Sequence, residues 1–181
     1  ADKRVRRAIA HLMHRKEIFN TVFYGYPEAV DQPTIPAAPA YNKDLPAIDF
    51  NIAKAKQLLK EAGWKDTNND GIVDKVINGE LVDLEIEVSF AAGNEDYVAV
   101  VDIFSSNALE AGVKLTPKTL EGRAFTTKYR SKDFDIAFLG MGGYPFNIDP
   151  ENKWSSGGAG NYAGFGTEVS DQLIQEIKGT V

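Results

Sequence analysis

A chain of 181 residues with 43% hydrophobic content suits one domain, or one lobe of a larger protein, and can bury a real core. Its net charge of −6 argues against a nucleic-acid partner, which calls for clustered lysine and arginine. With no cysteine there is no disulfide, thiolate metal site or cysteine nucleophile, and no apolar run approaches the ~20 residues that span a bilayer.

The chain opens one residue before a helical pattern and stops just after another. Domains ordinarily begin and end in polar linkers, so a piece of a longer protein is expected, and the missing signal segment says nothing about export. Asp2 is placed to cap a long first helix, whose apolar stripe runs Val5, Ala8, Ile9, Leu12, Met13, Phe19, Val22 and Phe23. His11 and His14 stand three apart on it, with no third metal ligand nearby. Tyr24-Gly25-Tyr26-Pro27 ends that helix, and Gln32–Pro46, with four prolines, reads as an extended crossing laid against the body. Asn51 caps a second helix that Gly63 stops.

The loop Asp66–Asp74 places oxygen side chains at positions 1, 3, 5 and 9 and glycine at 6, the pattern of an EF-hand calcium loop. The ligands of calcium there would be Asp66, Asn68, Asp70, the carbonyl of Ile72, and Asp74. Position 12 is Ile77 rather than a bidentate carboxylate, with Glu80 as a substitute. The competing reading is an Asx-rich turn whose side chains bond their own backbone and lead into a hairpin.

Asp83–Phe90 alternates as a strand with one wet face. Asn94 caps a helix with Val98, Val101, Phe104, Ala108 and Leu109 on its apolar face. Val113–Leu120 is a second strand, Gly122–Arg130 a short helix with Phe125 and Tyr129 inward, and Phe134–Leu139 a third strand. Strand, helix, strand, helix, strand is the order of a mostly parallel sheet flanked by helices, an α/β fold. Thr167 starts the last helix, with Val169, Leu173, Ile174 and Ile177 on one side.

The stretch of greatest functional interest follows the third strand. Ligands of open α/β sheets bind beyond the carboxyl ends of the strands. There the sequence places Gly140, Gly142 and Gly143 and then an aromatic and acidic loop. The binding candidates are Gly142, Gly143, Tyr144, Asn147, Asp149 and Trp154. The glycines bare the backbone, the rings offer faces, and Asp149 suits a polar or cationic group unless it only starts the turn at Pro150. Asp133 and Asp135 stand at the start of the strand, roughly 20 Å from its end at ~3.3 Å per residue, and make a poor acid/base pair with that loop. No serine-nucleophile elbow, phosphate loop or dinucleotide fingerprint is present. A binding surface fits better than a reaction centre.

Several stretches, in order, carry a family resemblance: Val5-Arg-Arg-Ala-Ile-Ala-His-Leu-Met-His-Arg-Lys-Glu-Ile, Tyr24-Gly-Tyr, Ala40-Tyr41-Asn42, Ala53–Trp64, the Asp66–Asp74 loop, Asp133-Phe-Asp-Ile-Ala, and Tyr162-Ala-Gly-Phe165. In these the chain resembles the extracellular solute-binding proteins of ABC importers, in the family that carries dipeptides, oligopeptides, nickel chelates and some sugars. The resemblance implies a type II periplasmic-binding-protein-like fold, with residues 1–181 forming one lobe of a hinge-closing receptor whose amino-terminal lobe and carboxyl-terminal return segment are absent. It implies a monomer outside the cytoplasm, in the periplasm or lipid-anchored at the cell surface. It also implies no required cofactor, and a peptide or similar small polar solute handed to a membrane permease. In peptide-carrying members the loop reads Gly-Trp-x-x-Asp and the Asp pairs with the ligand's α-amino group. Here Met141 replaces the Trp and Tyr144 the Asp, which argues against simple free-amine peptides and leaves room for blocked or longer peptides, saccharides or other polar solutes. Two alternatives from other classes stand beside this reading. One is a secreted hydrolase domain using Asp149 with Asp135 or Glu151, and the other is a calcium-dependent binding module resting on Asp66–Asp74.

Overall fold

A computed structural model describes residues 2–28, 30, 32, 34–39, 41–140 and 150–179. The carboxylate of Asp2 accepts the Arg4 N–H at 2.8 Å and so caps α1 (Lys3–Leu12). The expected long helix is in fact two, because α2 (Arg15–Thr21) starts after a break at Met13 and His14. Tertiary contacts cause the break. The His11 carbonyl, which a continuing helix would offer to Arg15, instead accepts the Asn51 N–H at 2.9 Å. The Arg15 N–H turns back to the Met13 carbonyl, the Arg15 guanidinium reaches the Ile48 carbonyl at 2.6 Å, and the His14 ring stacks on Phe50 with centroids 4.1 Å apart.

α3 (Ile52–Glu61) is capped by Asn51, as its sequence predicts, and lies antiparallel to α1. The Asn51–His11 bond joins one pair of their ends, and the Arg4 guanidinium joins the other to the Glu61 carbonyl at 2.6 Å. The Gly63 N–H reaches the Lys60 carbonyl and the Trp64 N–H the Leu59 carbonyl, closing the helix in a Schellman motif. A hairpin follows, β1 (Asp74–Ile77) with β2 (Glu80–Asp83), joined through Asn78 and Gly79, both at positive φ.

The main sheet is parallel, in the order β4 (Lys114–Leu120), β3 (Glu85–Ala91), β5 (Ile136–Phe138). β3 is central, and Pro117, which has no N–H to give, is tolerated because β4 is an edge. The connections run through α4 (Glu95–Glu110) and α5 (Gly122–Arg130), and the chain closes with α6 (Pro150–Trp154) and α7 (Glu168–Lys178). Val88 and Phe90 face one core with Val101, Phe104, Ala108, Leu12 and Leu59. α5 covers the opposite face, where Lys128 meets Glu87 at 3.1 Å, so the expected wet face is sheltered and Ser89 is buried. Two other expected faces are also corrected. α4 buries Val100 and Asn107 beside Val101, Phe104 and Ala108, while Val98 and Leu109 face solvent. α7 buries only Ile174 and leaves Val169, Leu173 and Ile177 exposed.

α4 ends in a second Schellman motif, from Gly112 to the Leu109 carbonyl and from Val113 to the Ala108 carbonyl. Gly112 sits at φ +78°, and a β-carbon there would come within 3.0 Å of Val73 Cγ1, so a larger residue is excluded by both conformation and space.

Candidate functional site

The lobe has two ends. At the amino ends of the strands, Lys75 Nζ bonds the Ala62 carbonyl at the end of α3, Val73 N–H bonds the Gly112 carbonyl at the end of α4, and Lys114 N–H bonds the Leu84 carbonyl. α3 therefore points its amino terminus the other way, toward the carboxyl ends of the strands. The His11–Asn51 bond puts the last turn of α1 beside the amino terminus of α3. In open α/β sheets the carboxyl ends of the strands are where ligands bind.

β3 leads there into Ala91–Asn94, and Asn94 caps α4 by accepting the Tyr97 N–H at 3.3 Å. The hollow formed is lined by Phe90, Ala92, Asn94, Val98 and Thr119. Tyr97 packs edge-on against Phe138 at 4.9 Å. A β-carbon on Gly140 would lie 3.2 Å from the Tyr97 hydroxyl, so glycine lets β5 leave the sheet beneath that ring. The sequence reading placed its candidates in the β5 loop and not at Ala91–Asn94 or Tyr97, although it recognised Asn94 as a helix cap, which just past a central strand sets the first helical turn at the sheet's carboxyl end.

Of the sequence candidates, Gly142, Gly143, Tyr144, Asn147 and Asp149 lie outside the described residues. Trp154 ends α6, half-buried and edge-on to Phe165 at 5.8 Å. α6 itself was not expected, and Pro150, which needs no N–H partner, opens it. The following loop is pinned from inside by buried Asn161. Its amide donates to the Ser155 carbonyl at 2.8 Å and to the Phe165 carbonyl, and its Oδ1 accepts the Phe165 N–H at 3.0 Å. Asp171 of α7 accepts both the N–H and the hydroxyl of Ser156. Tyr129 ties this loop to α5 and β5, meeting Phe125, Phe134 and Tyr162 with centroids 4.7–6.2 Å away.

Among the described residues, the acidic groups of the hydrolase reading, Asp135 and Glu151, are engaged elsewhere. Asp135 accepts the Glu87 N–H at 3.0 Å at the start of the β3–β5 pair. Glu151 is taken by Lys178 and Gln175. The carboxyl of Glu87 is held below its usual range by the Ser89 hydroxyl and then by Lys128. These are structural pairings.

The oxygen side chains of the 66–74 loop also turn to local partners. Asp66 accepts the Gly71 N–H at 3.1 Å, Asn68 the Asp70 N–H at 3.1 Å and Asp70 the Ile72 N–H at 2.8 Å. Asp74 is 1% exposed and accepts the Thr67 N–H and hydroxyl at 2.7 Å each, which hold its carboxyl below the usual range. Among the described residues no three carboxylate or imidazole side chains gather as a metal site. His11 bonds the Asp49 carbonyl at 2.7 Å and His14 bonds Glu17 at 2.8 Å, so the two are not placed on a shared ligand.

Comparison with known proteins adds an independent line. Residues 1–163 match the family model described as "Bacterial extracellular solute-binding proteins, family 5 Middle". The oligopeptide-binding protein AppA of Bacillus subtilis is 28% identical over 98% of this chain and 33% of its own length. The heme-binding protein A of Haemophilus influenzae is 26% identical over 97% of this chain and 31% of its own. The solved structure of AppA in complex with a nonapeptide superposes with a TM-score of 0.87 at 29% identity, covering 98% of this chain and 36% of that one. NikA of Brucella suis in complex with Fe(III)-EDTA superposes at 0.80 with 25% identity, covering 98% of this chain and 35% of that one. The chain spans about a third of the length of the curated relatives it matches.

Proposed function

Because the chain belongs to the bacterial extracellular solute-binding proteins of family 5, we propose that it is one lobe of a receptor that captures peptides, or similar small polar solutes, in a cleft and delivers them to the membrane permease of an ABC importer. One observation carries the reading on the structural side. The carboxyl ends of three parallel strands open at Ala91–Asn94, Leu120 and Gly140, where β3 and the first turn of α4 form a hollow lined by Phe90, Ala92, Asn94, Glu95, Val98 and Thr119. Such an end can hold a solute, and among the described residues lining this hollow Glu95 is the one carboxylate, with no second acid or base beside it.

The receptor works outside the cytoplasm, as a monomer, without enzymatic turnover and without a required cofactor. No described helix is long and apolar enough to cross a membrane. Gly142, Gly143, Tyr144, Asn147 and Asp149 form the mouth of the site. Trp154, edge-on to Phe165, is the remaining residue of the set. Peptide is the favoured solute because the AppA structure, at 29% identity and TM-score 0.87, holds a nonapeptide. Tyr144 cannot supply the negative charge that an α-ammonium would need, so the amino terminus of the peptide is not the anchor.

The test is a thermal-shift panel on the full-length protein with free and amino-acetylated nonapeptides, heme, nickel chelates and oligosaccharides. A solute at 100 times its Kd adds about 2.7 kcal/mol of stability, a clear rise in Tm. Acetylated and free forms of one nonapeptide are expected to raise Tm alike. A rise confined to the free form would place a carboxylate, Asp149 first, on the α-ammonium. Hydrolysis of any peptide or glycoside would overturn the receptor reading in favour of a hydrolase.

A further inference from the structure

Tyr97 stands where two strand ends meet. Asn94, just past the end of β3, caps α4 and so fixes Tyr97 in the first turn of that helix, at the carboxyl end of the central strand. The Tyr97 ring lies edge-on to Phe138, the last residue of β5, with centroids 4.9 Å apart. One half-buried ring thus spans the carboxyl ends of β3 and β5, the end at which open α/β sheets bind ligands.

Ring and hydroxyl have different surroundings. Packing accounts for the ring, which rests on Phe138 at the margin of the core. It does not account for the hydroxyl, which nothing bonds among the described residues. A tyrosine used for packing ordinarily finds a partner for its O–H, and phenylalanine would fill the same space without needing one. Gly140 points the same way. Its φ is outside the left-handed region, so the backbone does not call for glycine there. Space does, because a β-carbon would sit 3.2 Å from the Tyr97 hydroxyl and press on it. Gly140 is exposed, so the hydroxyl it leaves room for stands at the surface of this end and not within the core.

We propose that Tyr97 is a solute-contacting residue of this receptor. Its hydroxyl donates a hydrogen bond to a carbonyl oxygen of the solute, a main-chain carbonyl when the solute is a peptide, and Gly140 keeps the approach clear. Such a contact is indifferent to whether the amino terminus is free or blocked, since every peptide carries main-chain carbonyls. The assignment rests on the peptide reading above and extends the site from the β5 loop to the first turn of α4.

The experiment uses the full-length protein and an amino-acetylated nonapeptide of defined sequence, read by calorimetric titration and by the Tm of the ligand-free protein. Tyr97→Phe keeps the ring on Phe138 and removes only the O–H. It is expected to weaken binding about two- to tenfold, as loss of one neutral hydrogen bond does, with the ligand-free Tm unchanged. Gly140→Ala is expected to weaken binding by itself and to add little once Tyr97→Phe is in place, because both act through one hydroxyl. A loss below that range in Tyr97→Phe would overturn the proposal. So would a fall in its ligand-free Tm, which would make the hydroxyl a bond within the protein. An undiminished further loss from Gly140→Ala on top of Tyr97→Phe would overturn the pairing of the two residues. If the wild type binds no peptide and another solute in the panel stabilises it, the peptide reading itself fails, and this assignment with it. That outcome is separable because it appears before any variant is made.

Discussion

Asp70 bears on what the 66–74 loop is for. Its two carboxylate oxygens are engaged within the loop, Oδ1 with the Ile72 N–H at 2.8 Å and Oδ2 with the Asn68 side-chain amide at 2.9 Å. Asp74, the last oxygen of the sequence pattern, is turned into the protein on Thr67. A calcium ion would have to recruit these oxygens against bonds they already make, and Ile77 offers no twelfth-position carboxylate to help. Millimolar calcium added to metal-stripped protein is therefore expected to leave Tm unchanged, and Asp70→Ala to leave that calcium response equally flat. A rise of several degrees, abolished by Asp70→Ala, would show a calcium loop instead. The sequence made this stretch legible as oxygen-rich and turning. It did not disclose direction, because Asp and Asn at alternate positions serve a cation and their own backbone amides equally well.

At the level of elements, helix starts were the most legible feature and helix interiors the least. Asn51, Asn94 and Thr167 each accept the backbone N–H three residues on, an interaction written within four residues of sequence. The break between α1 and α2 depends on Asn51, Ile48 and Phe50, more than thirty residues away, and no local pattern announces it. α4 misled for a different reason: its buried stripe of Val100, Val101, Phe104, Asn107 and Ala108 includes a polar residue, so following apolar residues alone turned the expected face toward Val98 and Leu109, which are exposed. In the loop after α6, buried Asn161 is the organiser. Asn161→Ala, at a position 2% exposed, would leave the Phe165 N–H and carbonyl without their partner and the Ser155 carbonyl with the Gly158 N–H alone. A buried group left unsatisfied costs about 1–3 kcal/mol, so this variant is expected to lower Tm measurably, with the loss localised between α6 and α7 by hydrogen exchange. Asn161→Asp is expected to recover little, since a carboxylate cannot donate to the Ser155 and Phe165 carbonyls. A Tm equal to wild type in Asn161→Ala would remove Asn161 as the organiser of the loop.

For the molecule as a whole, the question is what 181 residues can do without the remaining two-thirds of the length that the relatives have. The core is continuous through α1, α3, α4 and the β3–β4 pair, with Leu12, Leu59, Val88, Phe90, Val101 and Val113 each at 2% exposure or less. α4 covers one face of the sheet and α5 the other. The 181-residue chain is therefore expected to unfold cooperatively in denaturant, by coincident fluorescence and circular-dichroism transitions. Binding is a separate matter. The hollow at the carboxyl end of β3 is open, so a solute resting there touches one wall only. Sites that hold small ligands well bury 70–90% of the ligand surface, and hinge-closing receptors achieve this between two lobes. Titration of an amino-acetylated nonapeptide is thus expected to give the isolated chain an affinity at least about a hundredfold below that of the full-length protein, a difference of about 2.7 kcal/mol. Equal affinity for the two would mean that this lobe holds the whole site, and the interlobe cleft would have to be abandoned. A fragment that failed to show a cooperative transition would instead locate part of its core in the rest of the protein.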